Sequence, residues 1–280
     1  MNANLKQRTP VQISDWLEIA TKKLKEAEVA SPQLDAELLL AHTLGKPRTY
    51  LHTNYHDSID NDTVALADKI LMRRIQREPM AYILGSKEFY KRDFTVTHDT
   101  LIPRPETEQL VEKLIEMVTS RNKPLSILDV GTGSGCIGLT LKLELPNSAV
   151  TLLDISDKAL DIAKLNAKKL NADASFMQSD LLQNVDQTYD IIVANLPYVS
   201  PGWQVSPEVK YEPSLALYAD NEGLVCIKNL IKQTPGRLNG NGILALEADP
   251  KQHQLIIGYA TKYRFKPLHT GDFYMCLTKD

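Results

Sequence analysis

The sequence is poor in cysteine, with three in 280 residues, at positions 136, 226 and 276. That spacing suits neither a metal knuckle nor a disulfide framework, and it points to a reducing, cytoplasmic setting. No run approaches about 18 uninterrupted apolar residues, so no membrane span is expected. The opening MNANLKQRTPVQISDW lacks the apolar block of a signal peptide. Like charges never gather in a block of five; residues 1–105 carry 15 basic against 14 acidic side chains, and residues 106–280 carry 17 against 21. With no basic platform in either half, direct nucleic-acid binding is not expected. Repeats and low-complexity tracts are missing too. Hydrophobic residues at 43% and charged residues at 24% exclude collagen and extended disorder.

The first 80 residues read as helices. Ile13, Trp16, Leu17, Ala20 and Leu24 recur at helical spacing, and Ser31-Pro32 opens a second stripe through Leu34, Leu38 and Ala41 to Gly45. A third, Val64, Ala67, Leu71 and Ile75, follows Asn61 and Asp62. Its Lys69, Arg73, Arg74 and Arg77 read as a solvated helix face. Residues 81–105 read as a linking hairpin built on Phe89, Tyr90, Phe94 and Val96, after which Glu106 and Glu108 suit the positive end of a helix. From residue 125 the strand-like runs LSILDV, AVTLLDI, ASFMQSD, YDIIVANL, GILALEA and FYMCLTK alternate with helical patterns. That cadence predicts an α/β domain over 106–280 with a largely parallel sheet.

The first of these runs ends in Asp129 and passes through Gly131, Thr132, Gly133, Ser134 and Gly135 into a helix. Small residues there let a ligand approach the backbone. Gly133 to Gly138 also spells G-x-G-x-x-G, with Asp154 ending the next strand, so a dinucleotide site has to be weighed. An acid at 129 would repel a pyrophosphate but attract the cationic amino acid end of S-adenosylmethionine, which favours the methyl donor. Asp154 would then take the ribose hydroxyls, and Asp180 with Leu181 would flank the adenine. The bland reading of these acids is helix capping.

After the fourth run comes Asn195-Leu196-Pro197-Tyr198. A planar NH2 group is a poor nucleophile because its lone pair is delocalised, so its methylation depends on positioning. The Asn195 side-chain oxygen and the Leu196 carbonyl can each accept one N–H. Both bind more strongly as the nitrogen gains positive character. Pro197 biases Leu196 toward extended geometry, and Tyr198 can stack on a flat substrate group. The bland reading is an Asn-turn with proline punctuation.

The motifs YILGSKEFY (82–90), LIPRPETEQLVE (101–112), DVGTGSGCIGL (129–139) and NLPY (195–198) resemble, in that order, those of the HemK/PrmC-type protein-glutamine methyltransferases. The resemblance implies a seven-stranded class I S-adenosylmethionine-dependent methyltransferase (Rossmann-like) domain, preceded by a small helical N-terminal domain that docks substrate and a linking β-hairpin. It implies that the glutamine of the Gly-Gly-Gln motif of class 1 peptide chain release factors is methylated at its side-chain amide, supporting translation termination, with S-adenosyl-L-homocysteine as product. By motif match, Gly131 to Gly135, Asp154, Leu181 and Asn195 line the cofactor and Asn195 to Tyr198 hold the glutamine. The family usually carries Asn-Pro-Pro-Tyr, and Leu196 is the form familiar from ribosomal RNA adenine dimethylases. Because position 196 acts through its carbonyl, the leucine should preserve the chemistry and alter loop stiffness.

Two other functions share these features: a methyltransferase acting on nucleic-acid amino groups, and a non-catalytic, ribosome-associated binding module. Arg104 with Glu106, and Glu247, read equally well as structural groups or as borders of a substrate channel. His52 and His56 lack the His-Glu pairing of a zinc helix, so no metal is expected. A monomer is expected.

Overall fold

The computed structural model describes residues 11–119 and 123–279. The first ten residues of the expected helical domain therefore lie outside the described residues. The chain divides into two compact units, one of residues 1–84 with 207–211, the other of residues 85–206 with 212–280.

In the first unit, helices α1 (Ile13–Glu26), α2 (Pro32–Leu44), α3 (Arg48–Thr53), α4 (Asn61–Ile75) and α5 (Met80–Leu84) bury a common core that includes Trp16, Leu24, Leu39, Leu40, Leu51 and Leu71. Gly45 ends α2 in left-handed geometry. Asp60 caps α4 by accepting from the Thr63 N–H, one residue ahead of the Asn61–Asp62 pair marked in the sequence. The basic face of α4 departs from expectation. Arg74 is buried: its Nε donates to Asp35 Oδ2 at 2.7 Å, and its Nη1 donates to the Glu78 carbonyl at 3.0 Å. Arg73 pairs with Glu78, and Arg77 with Glu208. Three of the four cations thus meet acids of their own unit, because Asp35, Glu78 and Glu208 lie where a helix-wheel reading of α4 alone has no view of them. Residues 80–84 form one helical turn, so the helical unit runs a few residues into the span expected as the linking hairpin, with the N–H groups of Tyr82 and Ile83 both returning to the Pro79 carbonyl.

The second unit opens with the hairpin Ser86–Phe89 and Arg92–Thr95, followed by α6 (Pro105–Val118), which carries proline in its first turn. Seven strands follow: β1 (Ser126–Val130), β2 (Ala149–Asp154), β3 (Ser175–Gln178), β4 (Tyr189–Ala194), β5 (Leu238–Glu247), β6 (Phe265–Thr270) and β7 (Tyr274–Lys279). Their order across the sheet is β6-β7-β5-β4-β1-β2-β3. The β5, β4, β1, β2 and β3 strands run parallel, and β7 is antiparallel to both its neighbours. This is the seven-stranded, largely parallel sheet that the resemblance implies.

Successive residues serve opposite faces. Ile127, Leu152, Ile191 and Val193 join a core with α6, α7 (Cys136–Glu144) and α8 (Asp157–Leu170). Leu128, Leu153, Ile192 and Leu244 join a second core with α9 (Val225–Gln233) and α10 (His253–Ala260). Covering both faces explains why the central strands read as nearly unbroken apolar runs. The order reverses at β1 and β4, and the carboxyl ends of those strands deliver residues 131 and 195 to one side, where open α/β sheets hold their ligands. No helix among the described residues is long and apolar enough to cross a membrane.

Candidate active site

A cavity of about 240 Å³ opens at those strand ends. Its wall brings together Gly131 to Ser134, Asp154, Asp180, Leu181, Asn195, Leu196 and Pro197, together with Thr107 and the loop 99–104. Three residues singled out in the sequence, Asp129, Gly135 and Tyr198, stand outside this wall.

Gly131, Gly133 and Gly135 all have positive φ, which lets the loop fold back over the sheet edge. Two acids hold it there. Asp154, at the end of β2, accepts from the Gly133 N–H through Oδ2 and from the Ser156 N–H through Oδ1, both at 2.9 Å. A carboxylate has about four acceptor sites, so each oxygen keeps capacity for a ligand hydroxyl. Burial raises the Asp154 pKa against these N–H donors. Asp129 is fully buried beneath the loop, and its Oδ2 accepts from the Thr132 hydroxyl at 2.5 Å and the Gly138 N–H at 2.9 Å. Its Oδ1 has no hydrogen-bond partner among the described residues. Burial lifts its pKa to about 6, opposed by those two donors. The last glycine of the G-x-G-x-x-G spacing thereby acquires a reason: a β-carbon on Gly138 would stand 2.9 Å from Asp129 Oδ2.

Asn195 follows β4. Its Nδ2 donates to Thr107 Oγ1 at 3.3 Å, and Thr107 is itself buried in the first turn of α6. Among the described residues, neither Asn195 Oδ1 nor the Leu196 carbonyl accepts a hydrogen bond from the protein. Tyr198 is half-buried, and its hydroxyl donates to Glu247 Oε1 at 3.2 Å at the end of β5. Glu247 is buried, its Oε2 has no hydrogen-bond partner among the described residues, and burial lifts its pKa to about 7, opposed by the side chains of Thr107, Tyr198 and Asn195. Burial and the Glu247 charge together push Tyr198 up, out of reach as a proton donor near neutrality.

Several positioning groups escaped the sequence reading. Gln252 donates through Nε2 to the carbonyls of Tyr198 and Glu222, pinning the far end of the NLPY loop. Asn166, fully buried on α8, ties the hairpin residue Thr95 to the Ser134 carbonyl. Arg104 lines the cavity, but its partner is the buried Glu212 at 2.5 Å, not Glu106. The second oxygen of Glu212 accepts from the Ile102 N–H. No group of three or more His, Cys, Asp or Glu suited to a metal ion occurs among the described residues.

Two family models match the chain: the PrmC N-terminal domain over residues 15–85 and the methyltransferase small domain over residues 106–211. The release factor glutamine methyltransferase of Koribacter versatilis is 42% identical over 241 residues, covering 82% of this chain and 86% of its own. The chain belongs to the release factor glutamine methyltransferase family. The Buchnera aphidicola member is 36% identical and covers 93% of this chain and 94% of its own. A methyltransferase structure from Pyrococcus furiosus shares the fold, with a TM-score of 0.52 at 18% identity over 74% of this chain and 96% of its own.

Proposed function

We propose that this protein uses S-adenosylmethionine to methylate the side-chain amide nitrogen of a glutamine in class 1 peptide chain release factors, at their Gly-Gly-Gln motif. One observation carries the chemistry: Asn195, Leu196 and Pro197 share a cavity wall with the glycine loop and Asp154, and the Asn195 oxygen and Leu196 carbonyl are uncommitted. The names of its relatives support the release factor as substrate.

The residues fit the donor. Asp154 keeps acceptor capacity at the cavity wall, and Leu181 with its neighbours offers an apolar surface for a purine. Asp129, with an unpartnered buried oxygen behind the loop, contributes negative potential toward a cationic ligand without touching it. When bound, this cofactor supplies an electrophilic methyl group on a sulfonium.

Asn195 Oδ1 and the Leu196 carbonyl then accept the two N–H bonds of the glutamine amide and hold its nitrogen in line. Neither acceptor ionises. As the N–C bond forms, the nitrogen becomes more positive and its hydrogens more acidic, so both hydrogen bonds strengthen in the transition state. The amide nitrogen supplies the electron pair of the new N–C bond, the donor's S–C bond would break to leave neutral S-adenosylhomocysteine, and the surplus amide proton passes to solvent, leaving an N-methyl amide. Pro197 restricts Leu196 to extended backbone, so its carbonyl does not have to be ordered on binding.

The protein acts in the cytoplasm, as a monomer, on protein and not on nucleic acid. The test is incubation with labelled donor and separate release factor, ribosomal RNA and DNA acceptors. Label on the release factor glutamine is expected, and it should disappear with Asn195→Ala while cofactor affinity falls only modestly. Label on an RNA or DNA amino group instead would overturn the substrate. Undiminished turnover by Asn195→Ala would overturn the role of the loop.

A further inference from the structure

A carboxamide has a donor end and an acceptor end of nearly equal size, and nothing within Asn-Leu-Pro-Tyr selects which end meets the substrate. Resting on the function proposed above, we infer that Thr107 and Glu247 are positioning residues that lock the Asn195 amide with its oxygen toward the glutamine nitrogen.

Asn195 Nδ2 donates to Thr107 Oγ1 at 3.3 Å, and Thr107 is only 1% exposed. A buried hydroxyl that accepts one bond must still place its own proton. The acceptor beside it is Glu247: burial lifts this carboxyl to about 7, and the side chains of Thr107, Tyr198 and Asn195 work against that by favouring its charged form. An ionised carboxylate only accepts. The Thr107 proton is therefore drawn toward Glu247, its lone pair is left for Asn195, and the Asn195 NH2 turns to that side. Reversing the amide would set Asn195 Oδ1 against the Thr107 lone pair and the Glu247 anion in a site closed to solvent, where unlike pairing is enforced most strongly. Tyr198 reinforces the arrangement by committing its hydroxyl to Glu247 Oε1 at 3.2 Å. Three segments far apart in sequence, at 107, 195 and 247, thus form one directional chain whose free end is the acceptor that catalysis needs.

The test compares Thr107→Val, Thr107→Ser and Glu247→Gln with the wild type on an intact release factor. Thr107→Val and Glu247→Gln should lower kcat about 10- to 100-fold, the scale of a misplaced reacting group. Cofactor affinity by calorimetry should stay within about twofold, since neither side chain is assigned to the cofactor. Thr107→Ser, which keeps the hydroxyl, should recover most of the loss. A second readout is independent of the substrate: in isotope-labelled protein saturated with S-adenosylhomocysteine, hydrogen exchange of the Asn195 carboxamide should be slow in the wild type and faster in Thr107→Val and Glu247→Gln. Wild-type kcat in both variants, or unchanged exchange, would overturn the lock. Failure of the wild type to methylate the release factor would overturn the substrate assignment instead and leave the exchange measurement to decide the orientation.

Discussion

Gly223 stands directly against the Tyr198 carbonyl: a β-carbon built on Gly223 would lie 2.0 Å from that oxygen and 2.6 Å from Gln252 Nε2. The same Nε2 donates to the Tyr198 carbonyl at 2.9 Å. The end of the NLPY loop is therefore held by a contact that only the absence of a side chain permits.

Gly223→Ala is predicted to uncouple this clamp. Left-handed backbone, at φ +80, costs an L-residue about 1–2 kcal/mol, and overlap with fixed backbone adds about 1–3 kcal/mol. The loop is the softer partner, so Tyr198 should move and methyl transfer should fall by at least about tenfold, while donor binding at the β1 and β2 ends persists. Turnover measured beside cofactor calorimetry separates the two effects.

The glycine loop makes a different demand. Gly138→Ala would push a methyl group to 2.9 Å from Asp129 Oδ2 and break the bond that this oxygen receives from the residue 138 N–H. Asp129 would keep only Thr132 as a donor, and an under-satisfied buried carboxylate costs about 1–3 kcal/mol. The loop should loosen and cofactor affinity should drop by about an order of magnitude, which calorimetry reads directly.

The β1 loop, Asp154 and NLPY were legible in the sequence because each is a short segment whose chemistry is local. What joins them was not. Thr107, Gln252 and the role of Glu247 depend on which strand ends stand side by side, a consequence of the β4–β5 register that pairs Ala194 with Leu246. Likewise β6 passes unnoticed as FKPLHT, because an edge strand tolerates Pro267 and exposed charge that would disqualify a central one. The buried ion pairs of α4 stayed hidden for a related reason: helical periodicity identifies a face but not the acids contributed by α2 and by residues 207–211.

Those ion pairs carry a stability prediction for the helical unit. Arg74→Ala leaves Asp35, itself 6% exposed, without its guanidinium at 2.7 Å. Removing one partner of a buried pair typically costs about 3–5 kcal/mol, whereas Lys69→Ala on the exposed side should stay within about 0.5 kcal/mol. Denaturant titration of the intact chain, followed at Trp16 in the helical core, should show the first variant melting early and the second unchanged.

Glu247 sets two opposing pH trends. Its carboxyl is held near 7 by burial, against an ordinary 4.5. The folded chain therefore keeps this proton to higher pH than the unfolded chain does. The stability it contributes is fully present below about pH 4.5 and is lost as pH rises through about 7. Asp129, held near 6, adds a loss of the same sign that begins lower. The groups facing Glu247 are Thr107 and Glu106 from α6, Asn195 and Tyr198 from the loop after β4, and the Cys136 thiol at the start of α7. Glu106 is the charged neighbour, and it opposes ionisation; the Tyr198 and Cys136 protons stay on across this range. The ionised carboxylate draws the Thr107 proton more strongly than the neutral acid, which can also donate, so kcat should rise over the interval in which stability falls. Glu247→Gln should flatten the rise in kcat near pH 7 and gain stability relative to the wild type at pH 8, while the Asp129 share of the decline remains. Paired kcat and denaturation profiles from pH 5 to pH 9 check both signs, and trends running in parallel instead of crossing would contradict the assignment.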